Sequence, residues 1–170
     1  MKPLRKVVFS VGSNLGDRLA NLQGAVDAIR DTPDVIVVDV SSVYETDPVA
    51  MADGSPQFLN IVIVGESTLE PRTLLERAQA IEDAFGRERP EPHASRTLDV
   101  DLVMVGNTET TQADLTLPHP RAHERGFVLV PWAEIDPSAE LPGHGAIAPL
   151  LDTVGGEGVT KRDDLIIEGD

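Results

Sequence analysis

The chain has no cysteine among its 170 residues, which excludes disulfides, thiolate metal sites and thiol nucleophiles. Aromatic residues make up 4% of the sequence, so each aromatic ring is a candidate for a special position. Long apolar runs are also missing, and stretches such as Val35 to Val38 are far too short to cross a bilayer. The N-terminus lacks the apolar core and cleavage site of a secretory signal. We therefore expect a cytoplasmic protein without a membrane span.

Positive charge is scarce and unevenly distributed. The net charge of -15 at pH 7 argues against a nucleic-acid partner, because clustered Lys and Arg are needed to hold a phosphate backbone. Three of the fourteen basic residues are lysines, and five of the eleven arginines lie between Arg87 and Arg125. Arginine matches phosphate oxygens in bidentate fashion, so this region predicts a local phosphate pocket. A network of surface salt bridges is the alternative.

The hydrophobic pattern predicts the order β-α-β-β-α-β, which is the ferredoxin-like pattern of an α+β fold. Additional short helices and strands are expected toward the C-terminus, including one or two helices over residues 120–135. The first helix should begin after Asp17 as N-cap, and the second should begin at Pro71 and end before Gly86. The predicted strands cover residues 6–12, 35–44, 57–66 and 97–105.

A chain of this length fits one domain with a sizeable core. We expect a single domain over residues 1–151, followed by a loosely held acidic tail over residues 152–170. We also expect a monomer. The loop over residues 47–56 is long enough to be functional.

The fourth predicted strand carries the sharpest chemical signal, because its alternation places Asp99 and Asp101 on one face. Two such carboxylates suit magnesium, which fills its other positions with water and substrate phosphates. An exposed strand face with two acids is the competing interpretation, since Asp-X-Asp alone is a weak signal. Neither common glycine-rich phosphate loop occurs, and the turn between Gly12 and Gly16 is interpreted as a strand-to-helix connection.

Three further residue types stand out. Phe58 and Phe127 are candidates to stack on a flat ring, although large apolar side chains are more often core. Asn60 shares a strand face with Phe58 and could read the edge of a heterocycle. His119 is interpreted as a hydrogen-bond donor near phosphate, with a satisfied structural histidine as the alternative.

Six segments in this order resemble the 6-hydroxymethyl-7,8-dihydropterin pyrophosphokinase family. The segments are Gly12 to Asp17, Ser41 to Thr46, Phe58 to Asn60, Glu82 to Arg87, Arg96 to Asp101 and Leu117 to Arg121. The resemblance spans roughly Val7 to Pro137, and the joint occurrence of these motifs is highly specific. It implies a ferredoxin-like core and transfer of the terminal pyrophosphate of ATP to a reduced pterin in folate biosynthesis, which releases AMP.

The resemblance also implies roles for individual residues. Asp99 and Asp101 would hold two magnesium ions, with Asp101 helping to remove the hydroxyl proton, while Arg87 and Arg96 would stabilise the transferred charge. The rest of the nucleotide side would comprise Gln79, Glu82, Arg89, Thr116, His119 and Arg125. The pterin side would comprise Thr46, Pro48, Val49, Phe58, Asn60 and Phe127, whose two rings would sandwich the substrate. The loops over residues 47–56 and 88–95 would close over ATP.

The chain departs from this family pattern at three places. His93-Ala94-Ser95 stands in place of a frequent Trp-Gly-Pro, and residues 50–55 lack the usual glycine and Asp-Gln pattern. Asp114 stands where an arginine is expected. We therefore expect loop closure and one nucleotide contact to differ.

Two other functions are compatible with the residues. A ferredoxin-like acyl phosphatase would use arginine and asparagine without magnesium, and the acid pair disfavours it. A metabolite sensor would bind a small ligand on the sheet and would release no AMP.

Overall fold

The computed structural model describes residues 3–46, 57–85 and 98–168. The first half of the chain contains β1 (Arg5–Ser13), α1 (Arg18–Arg30), β2 (Val35–Val40), β3 (Tyr44–Thr46), β4 (Phe58–Ser67), α2 (Pro71–Ala84) and β5 (Asp99–Val105). The second half contains β6 (Thr110–Gln112), β7 (Leu115–Leu117), a 3-10 helix (Ala122–Glu124), α3 (Gly126–Ile135), β8 (Glu140–Leu141), β9 (Gly145–Ala146), α4 (Ile147–Val154) and β10 (Val159–Lys161). Helices and strands are mixed as predicted, which confirms the α+β class.

The main sheet has six strands within the described ranges, and all of its pairings are antiparallel. Its order is β10-β3-β4-β1-β5, and β2 pairs with the same edge of β4 as β3 does. The inner strands β1 and β4 are buried along most of their length, as expected for strands covered on both faces.

The two faces of the sheet carry separate cores. Val7, Phe9 and Val11 of β1 point toward α1 and α2, while Val8 points to the opposite face, where Trp132 of α3 is fully buried. This alternation follows from the two-residue period of a strand. Each face therefore has its own layer of helices.

The prediction of one strand over residues 35–44 was wrong, since the structure divides it into β2 and β3. The register shifts between Val37 and Asp39, and Ser41 then bonds to Val62 through both its backbone and its side chain. The Ser41 N–H donates to the Val62 carbonyl at 2.9 Å, and the Val62 N–H donates to Ser41 Oγ at 2.9 Å. A short polar side chain thus replaces part of the strand ladder.

The predicted helix starts are confirmed. The side chain of Asp17 accepts a hydrogen bond from the backbone N–H of Ala20 at 3.1 Å, which is the N-cap arrangement. Pro71 occupies the first turn of α2, where its missing N–H has no helical partner in any case. The helices predicted over residues 120–135 are the 3-10 helix and α3. No helix within the described residues is long and apolar enough to span a membrane.

The C-terminal segment contributes to the main sheet through β10, which pairs with β3. Beyond β10, the Arg162 N–H donates to the Val43 carbonyl at 2.8 Å, and the Glu168 N–H donates to Gln23 Oε1 at 2.7 Å. The division into a domain ending at residue 151 and a loosely held tail stays a prediction.

We expect the substitution Gly24→Ala to lower the free energy of unfolding. A Cβ atom on Gly24 would lie 2.2 Å from Cζ of Phe85, at the end of α2. Alanine gains about 1 kcal/mol over glycine in a helix, but overpacking of this kind costs about 1–3 kcal/mol. Urea denaturation followed by circular dichroism measures the net change in the free energy of unfolding. The double variant Gly24→Ala/Phe85→Leu should be more stable than Gly24→Ala, because the smaller side chain relieves the clash. If Gly24→Ala were more stable than the wild type, the predicted clash would be wrong.

Candidate active site

The acid pair lies on β5 as the alternation predicted. Val100 and Leu102 are buried, while Asp99 and Asp101 are half-buried and share the opposite face. Asp101 Oδ2 lies 3.8 Å from Nη1 of Arg125, and the Asp101 side chain is 39% exposed. Two carboxylates therefore project from one strand with a cation beside them.

The strand β1 separates the acid pair from Asn60. Gly12 of β1 is the partner of Asn60 in β4 and of Asp99 in β5. Neighbouring strands lie about 4.8 Å apart, so the backbones of Asn60 and Asp99 are roughly 10 Å apart across two such spacings. The sheet thus brings the amide and the acids to the same level along their strands.

Gly12 leaves room for the groups on β4. A Cβ atom at this position would lie 2.6 Å from Asn60 Oδ1 and 3.3 Å from Cδ1 of Phe58. From the sequence alone, the turn that begins at Gly12 is interpreted only as a strand-to-helix connection. Nothing in the sequence shows which side chains lie across from Gly12. The glycine keeps the space that the Asn60 amide occupies.

Asn60 and Thr46 form a buried polar pair. Asn60 Nδ2 donates to Thr46 Oγ1 at 2.6 Å, and each residue is 4% exposed. Phe58 is half-buried, shares the strand face of Asn60, and is the partner of Thr46 in the β3–β4 ladder. Phe127, in the first turn of α3, is also half-buried and packs against the core that contains Trp132. Three of the predicted pterin-side residues are therefore brought together on β3 and β4.

A cavity of about 310 Å³ adjoins Asp101. Its lining residues are Leu75, Val100, Asp101, Leu102, Ala113, Asp114, Leu115, Thr116, His119 and Pro120. A larger cavity of about 490 Å³ lies between β2 and the segment after β10, but it contains none of the predicted site residues. The smaller cavity is the candidate site because Asp101, Thr116 and His119 meet there.

Glu82, on α2, binds the backbone of β5 between the two acids. This carboxylate is 8% exposed, and its Oε2 accepts a hydrogen bond from the Val100 N–H at 2.8 Å. Val100 lies between the two acids, so Glu82 fixes the backbone that presents them. Gln79 is exposed on α2 and is not part of the cavity lining among the described residues. A nucleotide contact for Glu82 or Gln79 stays a prediction.

Arg125 contacts both Asp101 of the acid pair and the ring of Phe127. It approaches Asp101 on one side, and its Cζ lies 5.3 Å from the centroid of the Phe127 ring, within cation–π range. Burial lowers the pKa of Arg125, an effect that the charge of Asp101 opposes. The guanidinium keeps its charge at neutral pH.

His119 is held as a neutral side chain. Burial, followed by the charges of Arg125 and Arg121, lowers the pKa of His119 from 6.5 to about 4. Its backbone N–H donates to the Val103 carbonyl at 2.8 Å, and its Nδ1 accepts from the Arg121 N–H at 3.2 Å. Because Nδ1 is an acceptor, the proton of the neutral ring is on Nε2. His119 can therefore donate a hydrogen bond through Nε2.

Asp114, where an arginine was expected, is paired with an arginine from α2. Arg72 Nη1 donates to Asp114 Oδ2 at 2.8 Å, and Nη2 donates to Oδ1 at 3.2 Å. This pairing lowers the pKa of Asp114. A changed nucleotide contact at this rim of the cavity stays a prediction.

Several predicted site residues lie outside the residues that the structure describes. They are Pro48, Val49, Arg87, Arg89 and Arg96. The unusual stretches over residues 50–55 and 93–95 lie outside these residues too.

We expect His119→Gln to reduce the pH dependence of stability. The pKa of His119 is about 4 in the folded protein against an ordinary value of 6.5. As pH falls through this window, the unfolded chain takes up a proton that the folded chain does not, so the wild type loses stability. Urea unfolding between pH 4 and pH 7.5 should show a shallower loss in the variant. Parallel curves for the two proteins would contradict the buried, neutral histidine.

Comparisons with known proteins identify the family. The model of the 7,8-dihydro-6-hydroxymethylpterin-pyrophosphokinase (HPPK) family matches residues 8–137. A 2-amino-4-hydroxy-6-hydroxymethyldihydropteridine pyrophosphokinase of Mycobacterium tuberculosis is 43% identical over 157 residues, covering 86% of this chain and 81% of that protein. The proteins of the same name are 42% identical over 138 residues in Bacillus subtilis, covering 81% and 82%, and 35% identical over 158 residues in Pseudomonas aeruginosa, covering 93% and 97%.

A solved structure shares the fold. The crystal structure of Plasmodium falciparum HPPK-DHPS wild type with pterin and p-hydroxybenzoate has a TM-score of 0.70 and 12% sequence identity. The likeness covers 90% of this chain and 43% of that chain, so this chain spans less than half of the Plasmodium protein. On the family match and the bacterial relatives, the chain belongs to the HPPK family and is a pyrophosphokinase.

Proposed function

We propose that this enzyme transfers pyrophosphate from ATP to 6-hydroxymethyl-7,8-dihydropterin, releasing AMP, as a step of folate biosynthesis. The observation that carries the proposal is the placement of the acid pair and the Asn60–Thr46 pair on either side of β1. A transfer between two bound molecules requires two adjacent half-sites that hold the reacting atoms in line. The names of the bacterial relatives support the choice of substrate.

We infer a ferredoxin-like arrangement for the core. The strand order β3-β4-β1-β5, the antiparallel pairings and the covering of one face by α1 and α2 support it. The strands after β5 and the helices α3 and α4 are additions to this core.

The acid pair fits magnesium. Asp99 and Asp101 offer two carboxylates on one strand face, and magnesium typically takes one or two protein carboxylates together with phosphate oxygens and water. Within the described residues, no group of three or more His, Asp or Glu side chains could hold a metal, so the phosphates of ATP would complete the coordination of two ions. Asp99 and Asp101 would hold magnesium, which would supply neutralisation of phosphate charge and a more acidic acceptor hydroxyl. We assign Asp101 a part in removing that proton.

The residues around the smaller cavity would bind and orient the triphosphate. His119 would donate a hydrogen bond through Nε2, Thr116 would contribute its hydroxyl, and Arg125, beside Asp101, would contribute its charge. We assign the stabilisation of transferred charge to Arg87 and Arg96, because catalysis of phosphoryl transfer rests on positioning and on charge neutralisation. The remaining nucleotide contacts that we propose come from Gln79, Glu82 and Arg89.

The pterin would bind on the β3–β4 side of β1. The amide of Asn60 is fixed by Thr46, and a fixed amide can read the donor and acceptor edge of a heterocycle. Phe58 and Phe127 would sandwich the ring, with the cation of Arg125 beside Phe127. Pro48 and Val49 would add contacts from the loop over residues 47–56.

We further propose a monomeric enzyme of the cytoplasm that has no nucleic-acid partner. The net charge of -15 supports the last point, since a nucleic acid would meet a surface of its own charge. Closure of the loops over residues 47–56 and 88–95 would exclude water from the reacting groups.

We expect Asp99→Asn and Asp101→Asn each to lower AMP formation by about 100-fold or more, because each removes a charged metal ligand worth several kcal/mol. The assay follows AMP released from ATP with and without 6-hydroxymethyl-7,8-dihydropterin and magnesium. Asp39→Asn is the matched control, since Asp39 is an exposed acid on β2, and it should keep wild-type activity.

Three results, from this assay, from a pterin-binding measurement and from an acyl-phosphate hydrolysis assay, would contradict the proposal. A folded wild type that binds pterin without forming AMP would indicate a sensor. Release of ADP would indicate a different transfer reaction, and magnesium-independent release of phosphate from an acyl phosphate would indicate a phosphatase.

We expect Gly12→Ala to weaken pterin binding by about tenfold or more, the loss that follows from breaking a buried hydrogen bond. The new methyl group would displace the Asn60 amide and break its bond to Thr46. Isothermal titration with pterin, and separately with magnesium-ATP, measures the two affinities. Gly156→Ala is the control, because its Cβ would make an ordinary contact at 3.5 Å. An equal loss for both ligands would show general damage to the sheet instead.

A further inference from the structure

One guanidinium nitrogen joins two neighbouring strands. Nη1 of Arg18, the first residue of α1, donates to Glu45 Oε2 at 2.9 Å and to the Gln57 carbonyl at 2.8 Å. Glu45 lies in β3, and Gln57 immediately precedes β4. Arg18 therefore bridges the end of one strand and the start of the next.

This bridge lies beside the residues assigned to the pterin. Glu45 precedes Thr46, and Gln57 precedes Phe58, and these two following residues are partners in the β3–β4 ladder. The strand β3 has three residues and pairs with β4 and β10, so only a few ladder hydrogen bonds hold its position. The bond between Asn60 and Thr46 depends on that position. A contact that fixes β3 against the start of β4 thus fixes the amide as well.

The bridge is partly shielded from solvent. The side chains of Arg18 and Glu45 are 28% and 20% exposed, so salt screens their attraction less than that of a surface pair. The bond to the Gln57 carbonyl is charge-assisted and adds a second anchor. We therefore expect the Arg18–Glu45 contact to contribute more than a fully exposed ion pair.

A second arginine, Arg162, binds the other carboxylate oxygen of Glu45 and provides a matched comparison with Arg18. Arg162 Nη1 donates to Glu45 Oε1 at 3.0 Å, and its other nitrogens bind Asp164 at 2.9 and 2.8 Å. Arg162 thus anchors Glu45 to the C-terminal segment, whereas Arg18 anchors Glu45 to the start of β4.

We propose that Arg18 is a positioning residue for the pterin half of the site, acting through Thr46, Phe58 and Asn60. The inference rests on the proposed function. The cavity beside Asp101 is on the β5 side of β1, away from this bridge. Loss of Arg18 should therefore weaken pterin binding and leave ATP binding unchanged.

The test compares Arg18→Met with Arg162→Met, since each variant removes one guanidinium from Glu45 and keeps an apolar side chain. Isothermal titration uses 6-hydroxymethyl-7,8-dihydropterin alone and magnesium-ATP alone, and steady-state kinetics give KM for each substrate. Arg18→Met should weaken pterin binding about tenfold, as expected for lost hydrogen bonds to a charged group, with a matching rise in KM for pterin. Arg162→Met should change pterin binding by less than about fivefold, because Arg162 connects Glu45 to the C-terminal segment and not to the start of β4.

The outcomes separate the two proposals. A folded wild type that neither binds pterin nor forms AMP would overturn the proposed function itself. With an active wild type, unchanged pterin affinity in folded Arg18→Met, an equal loss of ATP affinity, or an equal loss of pterin affinity in Arg162→Met would each overturn the positioning role. If circular dichroism shows that Arg18→Met is unfolded, Arg18→Lys keeps the charge, weakens the same two contacts through its shorter reach, and is judged by the same selective loss.

Discussion

The pairing of β1 with β4 on one side and β5 on the other is the constraint on which the site depends. Gly12 faces Asn60 and Asp99 in these two ladders. A slip of one residue in either ladder would turn a whole set of side chains to the opposite face, and the buried inner strands oppose such a slip. The packing that stabilises the sheet therefore also sets the separation between the acids and the amide.

Features that depend on near neighbours in the chain could be predicted from the sequence. Asp99 and Asp101 share a face because strands alternate with a period of two, and this holds whichever strands lie beside β5. Asp17 caps α1 because its side chain reaches an N–H three residues later. The start of α2 at Pro71 follows from the fixed φ of proline. In each case the deciding contact lies within a few residues.

Features that depend on distant partners could not be predicted. The division between β2 and β3 arises because Ser41 bonds to Val62, and the need for glycine at position 12 arises from Asn60. The sequence does not single out Arg18, because its contact with Gln57 can be recognised only when the start of β4 is known. One sequence without its fold does not show which residues meet, so these parts of the site came from the structure.

Local ion pairs, more than the net charge of the protein, set the electrostatics near the candidate site. A net charge of -15 opposes the approach of a polyanion, but screening confines that effect to about 8 Å at physiological ionic strength. Near the site, carboxylates already have cations beside them, with Arg125 at Asp101 and Arg72 at Asp114. On the proposed function, a triphosphate at the cavity would meet these arginines and a neutral histidine that can donate, while the net acidity of the whole protein would act mainly on its approach. Binding and approach would then be governed by different sets of charges, so the acidity of the protein does not conflict with the proposed anionic substrate.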